Sequence, residues 1–356
     1  MAWTSCVDRD LEEVVQRLGS EALALSGSRI LLTGGLGFLG QYFLAVFRRL
    51  NEQVLHTPCR VTVVDNRITE TESGAPLWRH DGFQLICQDA VQPLVLEEPV
   101  DMVIHAAGIA SPYYYRKYPL ETLEVATVGT KHLLQLAVRN PLKSFLFLSS
   151  SEIYGDPDSK HVPTPESYRG HVSCLGPRAC YDESKRLGET LCFIFHEMYG
   201  IPTKIVRPFN IYGPGMREND YRIIPNCASR IIGQKPVRLF GTGRQTRTFC
   251  YITDAIVGFL KVLLQGTPGQ AYNIGNVAPE VSMLELLATF ELVVGHPCPT
   301  ELVEYPDSYP ADEPQRRCPD ISKATYQLGY RPQISLEEGL RRFMEWAKPH
   351  YAGSPW

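Results

Sequence analysis

Residues Arg29–Thr33 (RILLT) form a nearly unbroken apolar run, the pattern of a strand covered on both faces, and they lead directly into GGLGFLG. A helical stretch follows at Gln41–Leu50. The alternation then repeats: RVTVVD, FQLIC running on to Asp89, VDMVIHAAG and SFLFLSSS read as strands, with helical stretches between them. Successive strand–helix units of this kind predict an α/β fold built on a Rossmann-type, doubly wound parallel sheet. Past a further buried-strand candidate, TKIVRP, the pattern loosens into Gly- and Pro-rich stretches with shorter elements, as in a smaller C-terminal lobe that closes over a substrate. Leu11, Val14, Val15 and Leu18 are spaced for a short amphipathic helix ahead of the main fold. The expected organisation is an N-terminal helical extension (1–27), a nucleotide-binding domain (28–208) and a substrate lobe (209–350) that returns some strands to the sheet.

Gly34, Gly37 and Gly40 are spaced Gly-x-x-Gly-x-x-Gly between the first strand and its helix. That arrangement lets the backbone approach a pyrophosphate at a helix N-terminus, where unpaired N–H groups and the helix dipole favour an anion. The second strand ends in Asp65, the place for a carboxylate that accepts hydrogen bonds from a ribose diol and repels a 2′-phosphate. This favours NAD over NADP, with Arg67 two residues on pulling weakly the other way. Ligands of such sheets sit at the carboxyl ends of the strands, and Asp65, Asp89, Ala106–Gly108 and Ser149–Glu152 all fall there.

Two Tyr-x-x-x-Lys pairs occur, Tyr113–Lys117 in YYYRK and Tyr181–Lys185 in CYDESK. A match of this length arises by accident about once in a chain of this composition. Tyrosine titrates near 10, so a tyrosine that takes a proton from an alcohol needs its anion stabilised, and a lysine one helical turn away supplies the charge. Ser150, at a strand end, is placed to hold the reacting alcohol. Tyr181–Lys185 has those serines and the glycine loop upstream, whereas Tyr113–Lys117 reads as part of a Pro-flanked loop. The former is therefore the candidate for hydride-transfer chemistry beside a nicotinamide.

Composition narrows the partners. With 35 basic and 39 acidic residues the net charge is −4, which gives no footprint for nucleic acid or an anionic membrane. No window approaches the length of a membrane span, and the acidic N-terminal stretch lacks a secretory pattern, so a soluble, cytoplasmic protein is expected. Ten scattered cysteines without C-x-x-C spacing read as mostly buried, reduced thiols, and no metal site is expected.

From TGGLGFLG through SSSEIYG and YDESK to RPFNIYGPG, the chain resembles the extended short-chain dehydrogenase/reductase family. Within it, SSSEIYGDP, LGPRACYDESKRLGETL, GTGRQTRTFCYITD and DEPQRRCPDISKATYQLGYRP are most similar to the group that decarboxylates UDP-glucuronic acid to UDP-xylose. The resemblance implies a tightly held, recycled NAD, contacted by Gly34, Gly37, Phe38, Leu39, Gly40, Asp65, Asn66, Asp89, Ala90, Ala106, Ala107, Tyr181, Lys185 and Pro208. It implies Tyr181 as base, Lys185 as its partner and ribose anchor, Ser150 orienting O4, and Ser151, Glu152 and Arg247 sharing the carboxylate and C5 proton. Of the second-half arginines (Arg222, Arg238, Arg244, Arg247, Arg316, Arg317), it selects Arg222, Arg247 and Arg317, with Asn210, for the nucleotide sugar, and Tyr115, Ser150 and Glu152 for the sugar end. It further implies a homodimer through the helix candidates Pro119–Arg139 and Cys180–Tyr199. The chain departs from the group's pattern at Gly108, Ile109, Ala126, Ile211, Gly215 and Tyr221, with Arg217 two residues past Gly215. A nucleotide-sugar 4-epimerase, a 4,6-dehydratase and a non-catalytic NAD-binding regulator stay open as alternatives.

Overall fold

The computed structural model of the chain describes residues 5–69, 80–218, 220–304 and 314–352; Asp312 and Glu313 of the DEPQRR motif lie outside them. The apolar runs become strands β1 (Arg29–Thr33), β2 (Arg60–Asp65), β3 (Phe83–Cys87), β4 (Met102–His105), β5 (Ser144–Leu148), β6 (Thr203–Pro208) and β7 (Gln270–Ile274). They pair in the order β7-β6-β5-β4-β1-β2-β3, every neighbour parallel. Strand order reverses between β1 and β4, so the connections that follow these two strands leave in opposite directions and open a crevice at the carboxyl edge.

Side chains alternate across the sheet and find helices on both faces. Ile30 and Leu32 of β1 join a core with the helices Phe38–Gln53 and Ile252–Gln265, while Leu31 points the other way, among Leu133, Leu134, Cys192 and Phe195. That second core is built by Thr130–Arg139 and Ala179–Tyr199. Short strands form the smaller lobe: Thr246–Arg247 lies between Val281–Ser282 and Arg316–Arg317, and Val237–Phe240 pairs with Thr300–Val303.

The N-terminal helix spans Ser5–Leu18, with Leu11, Val14 and Leu18 buried and Val15 partly so. Its Asp10 is fully buried, accepting from the Tyr251 hydroxyl (2.6 Å) and from Arg342 (2.9 Å). Burial pushes the Asp10 carboxyl up to about 6. Arg342 also reaches Glu13 (2.8 Å), and Arg17 pairs with Asp254 (2.7 Å), so the first helix is fastened to both Ile252–Gln265 and the C-terminal helix Leu336–His350.

Three local expectations change. The helix after β1 begins at Phe38, inside the glycine motif, and runs to Gln53, because Gly37 in extended conformation caps it. Pro119–Arg139 is a helix interrupted by a wide turn at Val125–Gly129. Tyr113–Lys117 is not in a loop: Pro112–Lys117 is a short helix, with proline at its first position where no backbone N–H is needed.

Candidate functional site

At the carboxyl edge, Gly34 sits with φ +71°, and a Cβ there would stand 2.6 Å from the Ala107 backbone. A Cβ at Gly40 would collide with the Gly34 carbonyl oxygen. Only glycine lets β1 turn so tightly beside the end of β4. Asp65 is held by the loop it faces, its two carboxylate oxygens accepting from the Leu36 N–H (3.0 Å) and the Arg67 N–H (2.8 Å). Asn66 donates to Asp89 (2.8 Å). Below them His105 is fully buried: its Nε2 faces the Val125 carbonyl at 3.2 Å and Nδ1 lies 2.7 Å from the Thr33 hydroxyl. Ala107 N–H donates to that same hydroxyl at 3.3 Å, tying the end of β4 to β1. A cleft of about 1310 Å³ runs along this edge. All of the sequence-derived cofactor candidates, from Gly34 to Pro208, line it, together with Ser150, Ser151 and Glu152.

Tyr181 and Lys185 project from Ala179–Tyr199 toward the end of β5, both buried. Lys185 Nζ donates to the Leu148 carbonyl (2.8 Å) and lies 5.8 Å from the Tyr181 ring centroid. Burial lowers the Lys185 ammonium to about 8, against the pull of the Glu189 carboxylate. Burial likewise pushes the Tyr181 phenol up to about 12, with the hydrogen bond to Ser150 acting in the opposite sense. Ser150 also caps the turn Ser151–Tyr154, accepting from Glu152 N–H at 3.2 Å, so its hydroxyl is fixed in place. Tyr115 stacks on Tyr181, centroids 5.7 Å apart and planes 14° from parallel, and its own hydroxyl is buried without a hydrogen-bond partner.

Beyond Tyr181 the cleft meets a second cavity of about 170 Å³. Among the described residues five arginines line it (Arg178, Arg222, Arg238, Arg247, Arg317) against one carboxylate, Glu152. Glu152 is gripped by Arg178 and by Arg317, whose Nη2 lies 2.8 Å from Oε2. Burial would raise its carboxyl; the two guanidinium groups overcome that and hold it well below the usual range. Arg317 and Arg247 are directly paired in the small-lobe sheet, which brings these two side chains from distant sequence to one place. Asn210, with φ +45° and its amide donating to the Thr248 carbonyl (2.8 Å), stands where both cavities join. Tyr115 and Arg222 line the small cavity as well; Arg222 is braced by Asp220 (Nε to Oδ2 2.9 Å). Arg217, by contrast, lines the large cleft.

A profile of the NAD dependent epimerase/dehydratase family matches residues 30–275. The chain belongs to this family. It is 38% identical to UDP-glucuronic acid decarboxylase 1 of Xenopus tropicalis over 315 residues, covering 88% of this chain and 70% of that protein. UDP-glucuronic acid decarboxylase 3 of Arabidopsis thaliana is 37% identical over 313 residues, 88% and 86% of the two chains. Among solved structures, UDP-glucuronic acid 4-epimerase from Bacillus cereus with UDP-glucuronic acid and NAD superposes with a TM-score of 0.75 at 26% identity, over 91% of this chain and 100% of that one. A dTDP-glucose 4,6-dehydratase from Streptomyces venezuelae with NAD bound gives 0.77 at 26% identity, over 90% and 97%.

As a member of this epimerase/dehydratase family the protein uses NAD, and the cradle fits it: glycines where any Cβ would fill the space, a helix N-terminus beside them and an acid at the end of β2. Sequence reasoning passed over two residues that the structure places beside Glu152. Arg178, three residues before Tyr181, reaches Glu152 from one helical turn away, and that spacing was the available signal. Asp182 is buried with one oxygen unpartnered and its other oxygen 3.5 Å from Arg178; burial and the nearby Glu152 charge push its carboxyl up.

Proposed function

We propose that the protein converts UDP-glucuronic acid to UDP-xylose. The observation that carries this reading is the meeting, at Tyr181, of an NAD cleft with a cavity whose arginines suit a diphosphate and a carboxylate. The likeness to decarboxylases over most of the chain supports it.

Tyr181 takes the proton from the C4 hydroxyl, with Ser150 holding O4 and the Lys185 charge stabilising the phenolate. NAD, which the glycine turn Gly34–Gly40 and Asp65 would hold beside C4, would supply the hydride acceptor and donor. The resulting ketone lies β to the C6 carboxylate, so the C5–C6 bond breaks, carbon dioxide leaves, and the electron pair rests in an enolate on C4 oxygen, where Ser150 and Tyr181 stabilise it. Protonation at C5 and reduction at C4 complete the sugar. Glu152, held ionised between two arginines, is suited to fixing those arginines rather than to carrying the C5 proton. Arg247 and Arg317 receive the sugar carboxylate or diphosphate, joined by Arg222 and Asn210, and Ser151 lines the path to C5.

The finer expectations follow the same reading. Leu120 on one helix and Leu187, Phe193 and Met198 on the other present exposed apolar side chains, and a second copy of the chain is the partner proposed for them. No helix among the described residues is long and apolar enough to cross a membrane. Ten free cysteines support a reducing, cytoplasmic setting.

Incubation of the purified protein with UDP-glucuronic acid, with mass spectrometry of the sugar nucleotide, tests the reaction. Loss of the mass of one carbon dioxide without net NADH is expected. An unchanged mass with inverted C4 would replace this reading by a 4-epimerase.

A further inference from the structure

The short helix Pro112–Lys117 carries the tyrosine–lysine pair that the reaction does not use, and its three consecutive tyrosines meet three different neighbours. Tyr113 stacks on Tyr221, ring centroids 5.3 Å apart and planes within 11°. Tyr114 accepts a hydrogen bond from Arg217 Nη1 (3.4 Å), whose guanidinium lies 5.7 Å from its ring. Tyr115 lies on Tyr181. Arg217 and Tyr221 belong to the small-lobe segment ahead of the helix Ile223–Ile232, whereas Pro112–Lys117 follows β4 of the large sheet. One helical turn therefore ties the small lobe to the proton-transfer tyrosine. Tyr221 lines the arginine cavity and Tyr114 the larger cleft, so the tie crosses where the two meet.

Decarboxylation creates a need for such a tie. Once the C5–C6 bond has broken and C5 has gained its proton, the 4-keto pentose nucleotide lacks the carboxylate that the arginines held. Its grip weakens while the hydride still sits on the cofactor. Escape at that moment strands one NADH for each ketose lost. Stacked, partly exposed rings can part and rejoin without leaving a buried charge unpaired, which suits a contact that opens in every turnover.

We propose that the Tyr113–Tyr221 stack is a catch that keeps the small lobe over the sugar between the outgoing and returning hydride. It is a positioning device and rests on the reaction proposed above. Tyr221→Ala and Tyr113→Ala each raise the share of turnovers ending as free 4-keto pentose nucleotide plus NADH by about three- to tenfold, the scale of one aromatic pair. The double variant leaks no more than either single one. Tyr221→Phe and Tyr113→Phe, which keep both rings, partition as the wild type does. If Tyr221→Ala lowers the melting temperature, Tyr221→Leu keeps bulk without the ring and serves in its place.

A second measurement needs no turnover: UDP dissociation followed by tryptophan fluorescence, which the ring-removing variants accelerate by a similar factor. Ring-removing variants that retain NAD affinity yet release neither ketose nor UDP faster would overturn the catch, as would phenylalanine variants that leak like alanine ones. Should the wild type leave UDP-glucuronic acid unaltered, the reaction fails, and the UDP release rates alone then decide for or against the catch.

Discussion

The two Tyr-x-x-x-Lys helices of this chain have the same spacing and different surroundings. Lys185 is 4% exposed, points at the end of β5 and has its ammonium pulled down to about 8 by burial. Lys117 is exposed, and its partner is the ring of the adjacent Tyr118, 5.1 Å away. Tyr181 meets a fixed serine hydroxyl and the cofactor cleft, while Tyr113 meets another tyrosine across the lobes. Spacing on a helix creates a pair; the carboxyl edge of a parallel sheet makes one of them a proton-transfer device.

The sharpest way to break this contrast is Tyr181→Phe, which removes the phenolic proton acceptor and keeps the ring stacked on Tyr115. Turnover falls about 10³-fold, the scale of general acid–base catalysis, with NAD affinity retained. Wild-type turnover in this variant would place the chemistry elsewhere. Next comes the lysine. Because Lys185 loses its proton near pH 8, kcat/KM bends downward above that pH, and Lys185→Arg, which stays charged, abolishes the bend. A limb that persists in the arginine variant would assign it to another group.

The clamp on Glu152 predicts a stability effect. Glu152→Gln removes the counter-charge of the buried Arg317 and one of the two carboxylates facing Arg178, a loss of about 3 kcal/mol read from urea unfolding. Since the native carboxyl titrates lower than the unfolded one, its contribution is present above the ordinary carboxylate range and disappears as pH falls through and below it. Asp182 has the opposite sign: its native carboxyl titrates higher, so the wild type loses stability as pH rises above the ordinary range. Asp182→Asn therefore gains stability over the wild type as pH rises from acid to neutral, measurable as a widening difference in melting temperature. At the bottom of the scale stands Lys117→Ala, with turnover within about twofold of wild type, as for an exposed side chain away from the cleft.

How much of this was legible in the sequence follows the same division. The cradle was readable because its parts are local: glycines spaced within one turn, an acid at the next strand end, serines after another. Even there the helix start was misplaced, since periodicity shows only the apolar face and not the cap at Gly37. The arginine cavity is assembled by tertiary pairing. That Arg317 would stand beside Arg247, while Arg316 turns to Glu280 and Arg238 to Glu301, depends on strand register that no local pattern carries. Arg178 was overlooked because it reads as the start of a helix, and its reach to Glu152 exists only when β5 lies beside that helix.

The attachment of the first helix sets an order of events on the ribosome. Val7, Leu11, Val14 and Leu18 flank Asp10, yet Arg342, the residue that grips it, is 332 positions further along the chain. At roughly 20 residues per second that is a wait on the order of 20 s. The apolar face of the first helix meets Phe38–Gln53 early, whereas Ile252–Gln265 and Leu336–His350 follow much later, so part of that face waits through the interval, a natural target for chaperones.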